Sequence, residues 1–380
     1  MVDNTDILRE LIAHDRIRIR DSVVLHQSPP PLPKSFVFEK IEGMLLGLAI
    51  GDALGATSEG KRPAKRYEIY GEIRDYLPGR RSKFRERGVA TDDTQLAFRT
   101  LEQITTDGGL VPDELARRFC ESGIIGIGGM TKAFIRNYKD RHMPWYEAGI
   151  DGLGNGSLMR IAPVVVPYLR NPHPSLYADA ALDAMITHNS YASTASCVAF
   201  VKMLWLLLTM SSVPERNWWV GTFCSTAREL EGGTKYLPRN PHYEGYEGPL
   251  WKFAGEVCEE AFNNEMSTSE ACLLWGSGSH LFETVPSVLY ILAKHGHNAE
   301  EAIIRAVNDT VDNDSIAAIV GAAVGALHGL GGIPERWVKN LTGRIRKGGT
   351  GQVFRLIFHT KQLFWLQNSL NRITSSFPVV

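Results

Sequence analysis

The chain has 380 residues, 44% of them hydrophobic, and 41 Lys plus Arg set against 42 Asp plus Glu give a formal net charge of −1. Near-neutrality removes any global electrostatic reason to expect nucleic acid or a membrane surface as partner, and the length is enough for one large core or two modest ones. Cys120, Cys197, Cys224, Cys258 and Cys272 are odd in number and lack the close pairs of zinc or redox sites, which suits a reduced compartment. A start carrying Asp3, Asp6, Arg9 and Glu10 has neither the basic opening nor the apolar core of a signal peptide, so a cytoplasmic protein is expected.

Residues 1–36 differ from the rest. Ile7, Leu8, Leu11 and Ile12 define one face of a short helix, Arg16-Ile17-Arg18-Ile19-Arg20 follows, and Pro29, Pro30, Pro31 and Pro33 then stop regular structure. Two readings stay open for this extension: a loose or packed terminus, or a partner-binding arm on a semi-rigid spacer. Residues 37–380 read as one domain.

Gly43, Gly47, Gly51 and Gly55 recur every fourth residue, so a helix here carries a flat strip against which another helix can lie closely. Neither this strip nor its repeat at Gly321, Gly325 and Gly329 has the spacing of a Rossmann or P-loop nucleotide site. Asp52 and Glu59 interrupt the first run and rule out a transmembrane pairing motif. Glu59 falls where that helix gives way to a loop, either as a surface carboxylate or as a gate, ligand or proton-transfer group. Arg80, Arg81, Lys83, Arg85 and Arg87 form a basic loop, solvated or facing phosphates or an acidic partner.

Thr91 has the character of an N-cap, with Asp92 and Asp93 in the first helical turn, where the macrodipole favours negative charge. Helical spacing continues over 96–104, 178–186, 193–208, 285–292 and 316–327, glycine-rich loops fall at 123–129, 152–156 and 329–334, and convincing strands are few. The apolar stretch 198–210 contains Lys202 and falls short of the roughly 20 residues a bilayer demands, so it reads as a buried helix. Trp218-Trp219 reads as packing. The expected fold is all-α.

Asp312-Asn313-Asp314-Ser315 opens another apolar helix and adds two carboxylates and a hydroxyl, more negative charge than capping requires. An EF-hand is excluded, because Ala317 and Ala323 stand where its glycine and glutamate belong. Packing the two glycine strips together would bring this cluster to Thr91-Asp92-Asp93. Four carboxylates and two hydroxyls suit two Mg²⁺ or Mn²⁺ ions better than one zinc.

Five strings in order carry a resemblance: GLAIGDALGATSE at 47–59, TDDTQ at 91–95, GNGSLMRIAPV at 154–164, GSGSHLFETVPSVL at 276–289 and DNDSIAAIVGAAVGAL at 312–327. Together they resemble the ADP-ribosylglycohydrolase family, which includes the hydrolase that reactivates dinitrogenase reductase and the ADP-ribosylarginine hydrolases. The resemblance implies a compact, orthogonal multi-helix fold over 37–380 with a binuclear Mg²⁺ or Mn²⁺ centre held by Thr91, Asp92, Asp93, Asp312, Asp314 and Ser315. It further implies an ADP-ribose cleft lined by Gly154, Asn155, Gly156 and Ser157, with His188 as the active-site histidine and Asp93 or Glu59 moving protons. Two departures stand out: ITHNS lacks the proline that often follows the histidine, and NDTVDNDS lacks a glycine pair before Asp312.

The implied activity is hydrolysis of the N-glycosidic bond of ADP-ribosylated arginine on protein. The alternatives are cleavage of serine-linked ADP-ribose, occlusion of an ADP-ribosyltransferase toxin by residues 1–36 in a bacterial immunity protein, and an inactive structural relative.

Overall fold

The computed structural model describes residues 3–79, 86–346 and 349–366. Arg80, Arg81, Lys83 and Arg85 of the basic loop lie outside them. Among the described residues the chain is built from α-helices joined by short 3₁₀ and π turns, and the only β-pairing is three isolated bridges.

Two helices form the axis of the core. Glu39–Gly55 and Asn313–His328 run antiparallel with their glycine strips face to face. A β-carbon on Gly43 would lie 2.7 Å from the Gly325 carbonyl oxygen, and one on Gly55 would lie 2.5 Å from the Asp314 Cα. Only glycine lets two backbones approach this far, and the consequence is positional: the C-terminal end of the first helix meets the N-terminal end of the second. Asp52 and Glu59 are thereby delivered to Asp312, Asp314 and Ser315.

The Asp92–Asp107 helix packs beside this pair, burying Leu96, Phe98, Leu101 and Ile104, and ends on Gly108 in the left-handed conformation. Tyr191–Thr209 is longer than its apolar pattern suggests, because Ser190 caps it by accepting from the Ser193 N–H. At 19 residues it is long and apolar enough to span a membrane, but 83% of its apolar window is buried inside the protein. It is a core helix. Trp219 is buried and Trp218 packs edge-on against it, as expected of paired packing aromatics.

Residues 3–36 lie against the body. The helix Thr5–Ala13 turns Leu8 and Leu11 inward, and Ile17 and Ile19 are buried while Arg16 and Arg20 point out. Asn4, buried, donates to the Leu110 carbonyl at 2.8 Å and to Asp179 at 2.6 Å. Without regular structure, the proline-rich stretch still offers the Pro30 carbonyl to the Trp205 indole at 2.8 Å.

Candidate active site

The acidic residues of the first helix pair converge with those of the Asp92 helix. One carboxylate oxygen each from Asp52, Asp93 and Asp314 lies within 4.8 Å of the others, and Glu59, Asp312 and Asp314 form a second such group. Asp314 belongs to both.

Asp52 organises the centre from within its buried helix. Its carboxylate accepts from the Thr91 N–H and hydroxyl at 2.8 and 2.7 Å, and from the Thr94 N–H and hydroxyl at 3.0 and 2.6 Å. The capping role expected of Thr91 therefore falls to Asp52. The Thr91 side chain makes no cap bond and gives its proton to Asp52 instead.

Asp93 is the opposite case. It is 1% exposed, its Oδ2 faces the Thr91 hydroxyl at 3.3 Å, and its Oδ1 has no hydrogen-bond partner among the described residues. Burial, then the charges of Asp52 and Asp314, push its pKa well above the ordinary carboxylate value. Asp314 is raised by burial and then by Asp312 and Glu59, Asp92 is raised to about 7 by burial and then Asp52, and Asp312 is raised to about 6 by burial. None of the ion pairs among the described residues involves these groups, although Arg66 lies behind them, buried and donating to the Thr310 and Lys61 carbonyls. A buried carboxylate atom with no partner, in a cluster with no paired cation, fits hard divalent cations, whose preferred donors are oxygens.

The cluster forms one wall of a cavity of about 480 Å³. Asp92, Asp93, Asp312, Asp314, Ser315 and the exposed Glu59 line that wall, and Gly154, Asn155, Gly156 and His188 also line the cavity. Bridges from Gly154 to His280 and from Ile150 to His188 pin the 150–156 loop in place. Asn155 donates to Asp312 Oδ2 at 2.6 Å and to the Thr284 hydroxyl at 3.0 Å, so its side chain orients a carboxylate. Gly156 leaves room for the imidazole: a β-carbon there would lie 2.8 Å from His188 Cε1. Two of the expected residues stand behind the surface. Ser157 is buried and does not line the cavity, and Thr91 reaches the centre only through Asp52 and Asp93.

Several residues of the site escape a reading by sequence pattern. Asp52 left one trace, a charge inside an otherwise apolar and glycine-rich helix. Gly126, with φ 89°, packs against Asp92, where a β-carbon would lie 2.8 Å from its Oδ1, and its sequence pattern marks only a loop. Arg239, exposed on a loop, is the one cation lining the cavity among the described residues and had no signal at all.

Comparisons with known proteins bear on the chain as a whole. The profile of the family described as ADP-ribosylglycohydrolase matches residues 33–361. The ADP-ribosyl-[dinitrogen reductase] glycohydrolase of Rhodospirillum rubrum is 24% identical over 84% of this chain and 96% of its own. The ADP-ribosylarginine hydrolase Tri1 of Pseudomonas putida is 26% identical over 80% of this chain and 74% of its own. A solved structure titled ADP-ribosylglycohydrolase-related protein complex superposes with a TM-score of 0.59 at 23% identity, over 86% of this chain and 98% of that one, a likeness of fold.

Proposed function

The chain belongs to the ADP-ribosylglycohydrolase family and is a hydrolase acting on ADP-ribosylated protein, and we propose that its substrate is ADP-ribosylated arginine, cleaved at the N-glycosidic bond. The observation that carries this is the unpartnered Asp93 Oδ1 in a carboxylate cluster opening onto a cavity of about 480 Å³. The arginine linkage is taken from the relatives' names and from charge. Six carboxylates, Asp52, Glu59, Asp92, Asp93, Asp312 and Asp314, exceed the charge of two divalent cations, and the excess favours a cationic guanidinium leaving group over a neutral serine oxygen.

Two Mg²⁺ or Mn²⁺ ions would be held by Asp92, Asp93, Asp312, Asp314 and Ser315, with Thr91 supporting them through its contacts to Asp52 and Asp93. When bound they would supply Lewis-acid stabilisation of charge developing on oxygen and a fixed positive field beside the ribose.

The chain's own residues do the rest. Hydrolysis breaks the bond from ribose C1″ to the guanidine nitrogen and joins C1″ to a water oxygen, so one proton must travel from water to the leaving nitrogen. Glu59, at the solvent edge of the cluster, carries that proton. Asp93 Oδ1 orients the water. Asn155 holds Asp312 in register, and the Gly154–Gly156 backbone with Arg239 faces the phosphates.

Removal of ADP-ribose would also reverse the mark of an ADP-ribosyltransferase toxin, the possible partner of an immunity protein. Any occlusion by residues 1–36 would act through outward side chains such as Val23, since Leu8, Leu11, Ile17 and Ile19 face the body.

Peptides carrying arginine-linked or serine-linked ADP-ribose, incubated with the protein with and without EDTA, test the reading. Metal-dependent release from arginine supports it. Release from serine alone moves the assignment to the O-glycosidic bond, and no release from either defeats it.

A further inference from the structure

His188 ends the Ser175–Thr187 helix and is buried, with its Nδ1 2.8 Å from the Thr187 hydroxyl. That hydroxyl also receives a hydrogen bond, at 2.8 Å, from the guanidinium of Arg160. Arg160 is itself buried, ion-paired with Asp183 and bonded at 3.0 Å to the Asp183 carbonyl, and a guanidinium can only donate. Direction therefore propagates along the chain of contacts. With Arg160 donating into Thr187 Oγ1, the threonine's single proton is free for Nδ1.

The opposite tautomer is the poorer one. An Nδ1–H would set two donors on one hydroxyl oxygen and leave the Thr187 O–H without an acceptor among the described residues, in a fully buried position. Burial, reinforced by the Arg160 charge, pushes the His188 pKa down to about 3, so the ring is neutral at physiological pH. Its one proton then sits on Nε2. That edge lies beside Gly154 and Gly156, where added β-carbons would come within 3.2 and 3.1 Å of Nε2, on the wall of the cavity that His188 lines.

We propose that Arg160 and Thr187 are positioning residues that lock His188 as an Nε2–H donor aimed at a phosphate or ribose oxygen of the ADP-ribosyl group. The inference rests on the ADP-ribose reading of the cavity. It gives Arg160, Thr187 and Asp183 a role no comparison assigns, and it denies His188 Nε2 any part as a proton acceptor. An anionic ligand rich in acceptor oxygens matches a wall whose donors cannot reverse.

The test uses the full-length protein with Mg²⁺, labelled with ¹⁵N-histidine, and its long-range ¹H–¹⁵N spectrum, with the His188 signals assigned by their loss in His188→Gln. Wild type is expected to show a neutral ring protonated at Nε2 from pH 5 to 8. Thr187→Val should lose that signature and bind ADP-ribose about tenfold more weakly by calorimetry, the loss of one charge-assisted hydrogen bond. Thr187→Ser should restore both. A wild-type ring protonated at Nδ1, or a Thr187→Val protein that keeps the Nε2–H signature and the affinity, overturns the proposal. Wild-type protein with the expected tautomer but no affinity for ADP-ribose instead overturns the reading of the cavity on which the proposal rests.

Discussion

Gly47 and Gly321 meet backbone to backbone: a β-carbon on Gly47 would lie 2.8 Å from the Gly321 carbonyl carbon and closer still to its oxygen. The obstacle is main chain, which cannot rotate aside as a side chain can. Gly47→Ala must therefore part the two helices, at a cost of about 1–3 kcal/mol that exceeds the roughly 1 kcal/mol alanine gains in helix propensity. Gly221, exposed in the Arg216–Glu231 helix with open space around it, is the control. Urea unfolding should show Gly47→Ala destabilised and Gly221→Ala stabilised by about 0.5–1 kcal/mol. The same sign at both positions would refute the argument from close approach.

Because Asp52 and Asp314 ride on those two helices, the cluster they form with Asp93 repels itself when no cation is bound. Adding Mg²⁺ or Mn²⁺ should raise the melting temperature by several degrees and EDTA should reverse the rise, since a ligand of the folded state stabilises it. Asp314→Asn should behave in two opposed ways: more stable than wild type in EDTA, because one buried charge is gone, and indifferent to the cation. Thermal scans in both buffers read out all of this. A variant less stable than wild type in EDTA would show that the bond Asp314 Oδ1 accepts from the Ser315 N–H, 3.0 Å, outweighs the repulsion in the cluster.

Arg239 is the one cation among the described residues that line the cavity. Arg239→Ala should weaken ADP-ribose about tenfold while leaving adenosine, which lacks the diphosphate, unchanged in calorimetry. Equal losses for both ligands would place Arg239 away from the phosphates.

What could be read in the chain, and what could not, divides along the range of the interaction. The glycine strips are legible because a helix repeats every 3.6 residues, and a spacing of four marks one face. TDDT and DNDS are legible because excess carboxylate at a helix start exceeds what capping needs. Asp52 is not legible. It caps a helix whose N-cap residue, Thr91, lies 39 residues later, through a contact made only once the glycine strips have docked, so in sequence it is a lone charge in an apolar run. Arg239 and Gly126 sit on loops, where no period exists to mark a face. Arg160 lies inside the recognised GNGSLMRIAPV string, yet its bond to Thr187 depends on how the 3₁₀ turn Leu158–Arg160 packs against the Ser175–Thr187 helix.

The N-terminal extension provides a prediction for pH. Asp179 is fully enclosed, accepting from Asn4 Nδ2 at 2.6 Å and from the Tyr168 hydroxyl at 2.6 Å, and burial pushes its pKa up to about 7. In the unfolded chain it would titrate near 3.9. Between those values the folded state holds a proton that the unfolded state has released, so the stability this group contributes is complete below about pH 4. It is lost as pH rises through 7, with a slope of at most about 1.4 kcal/mol per pH unit. Asp179→Asn keeps the shape and one acceptor but cannot ionise. In saturating Mg²⁺, to hold the carboxylate cluster in one state, the difference in urea-unfolding free energy between variant and wild type should move in the variant's favour from pH 5 to pH 8. A constant difference would mean that Asp179 is ionised throughout, stabilised by Asn4 and Tyr168 strongly enough to cancel its burial. Asn4→Ala separates the two explanations: if Asn4 were holding the carboxylate charged, its loss would create the pH dependence that wild type lacked.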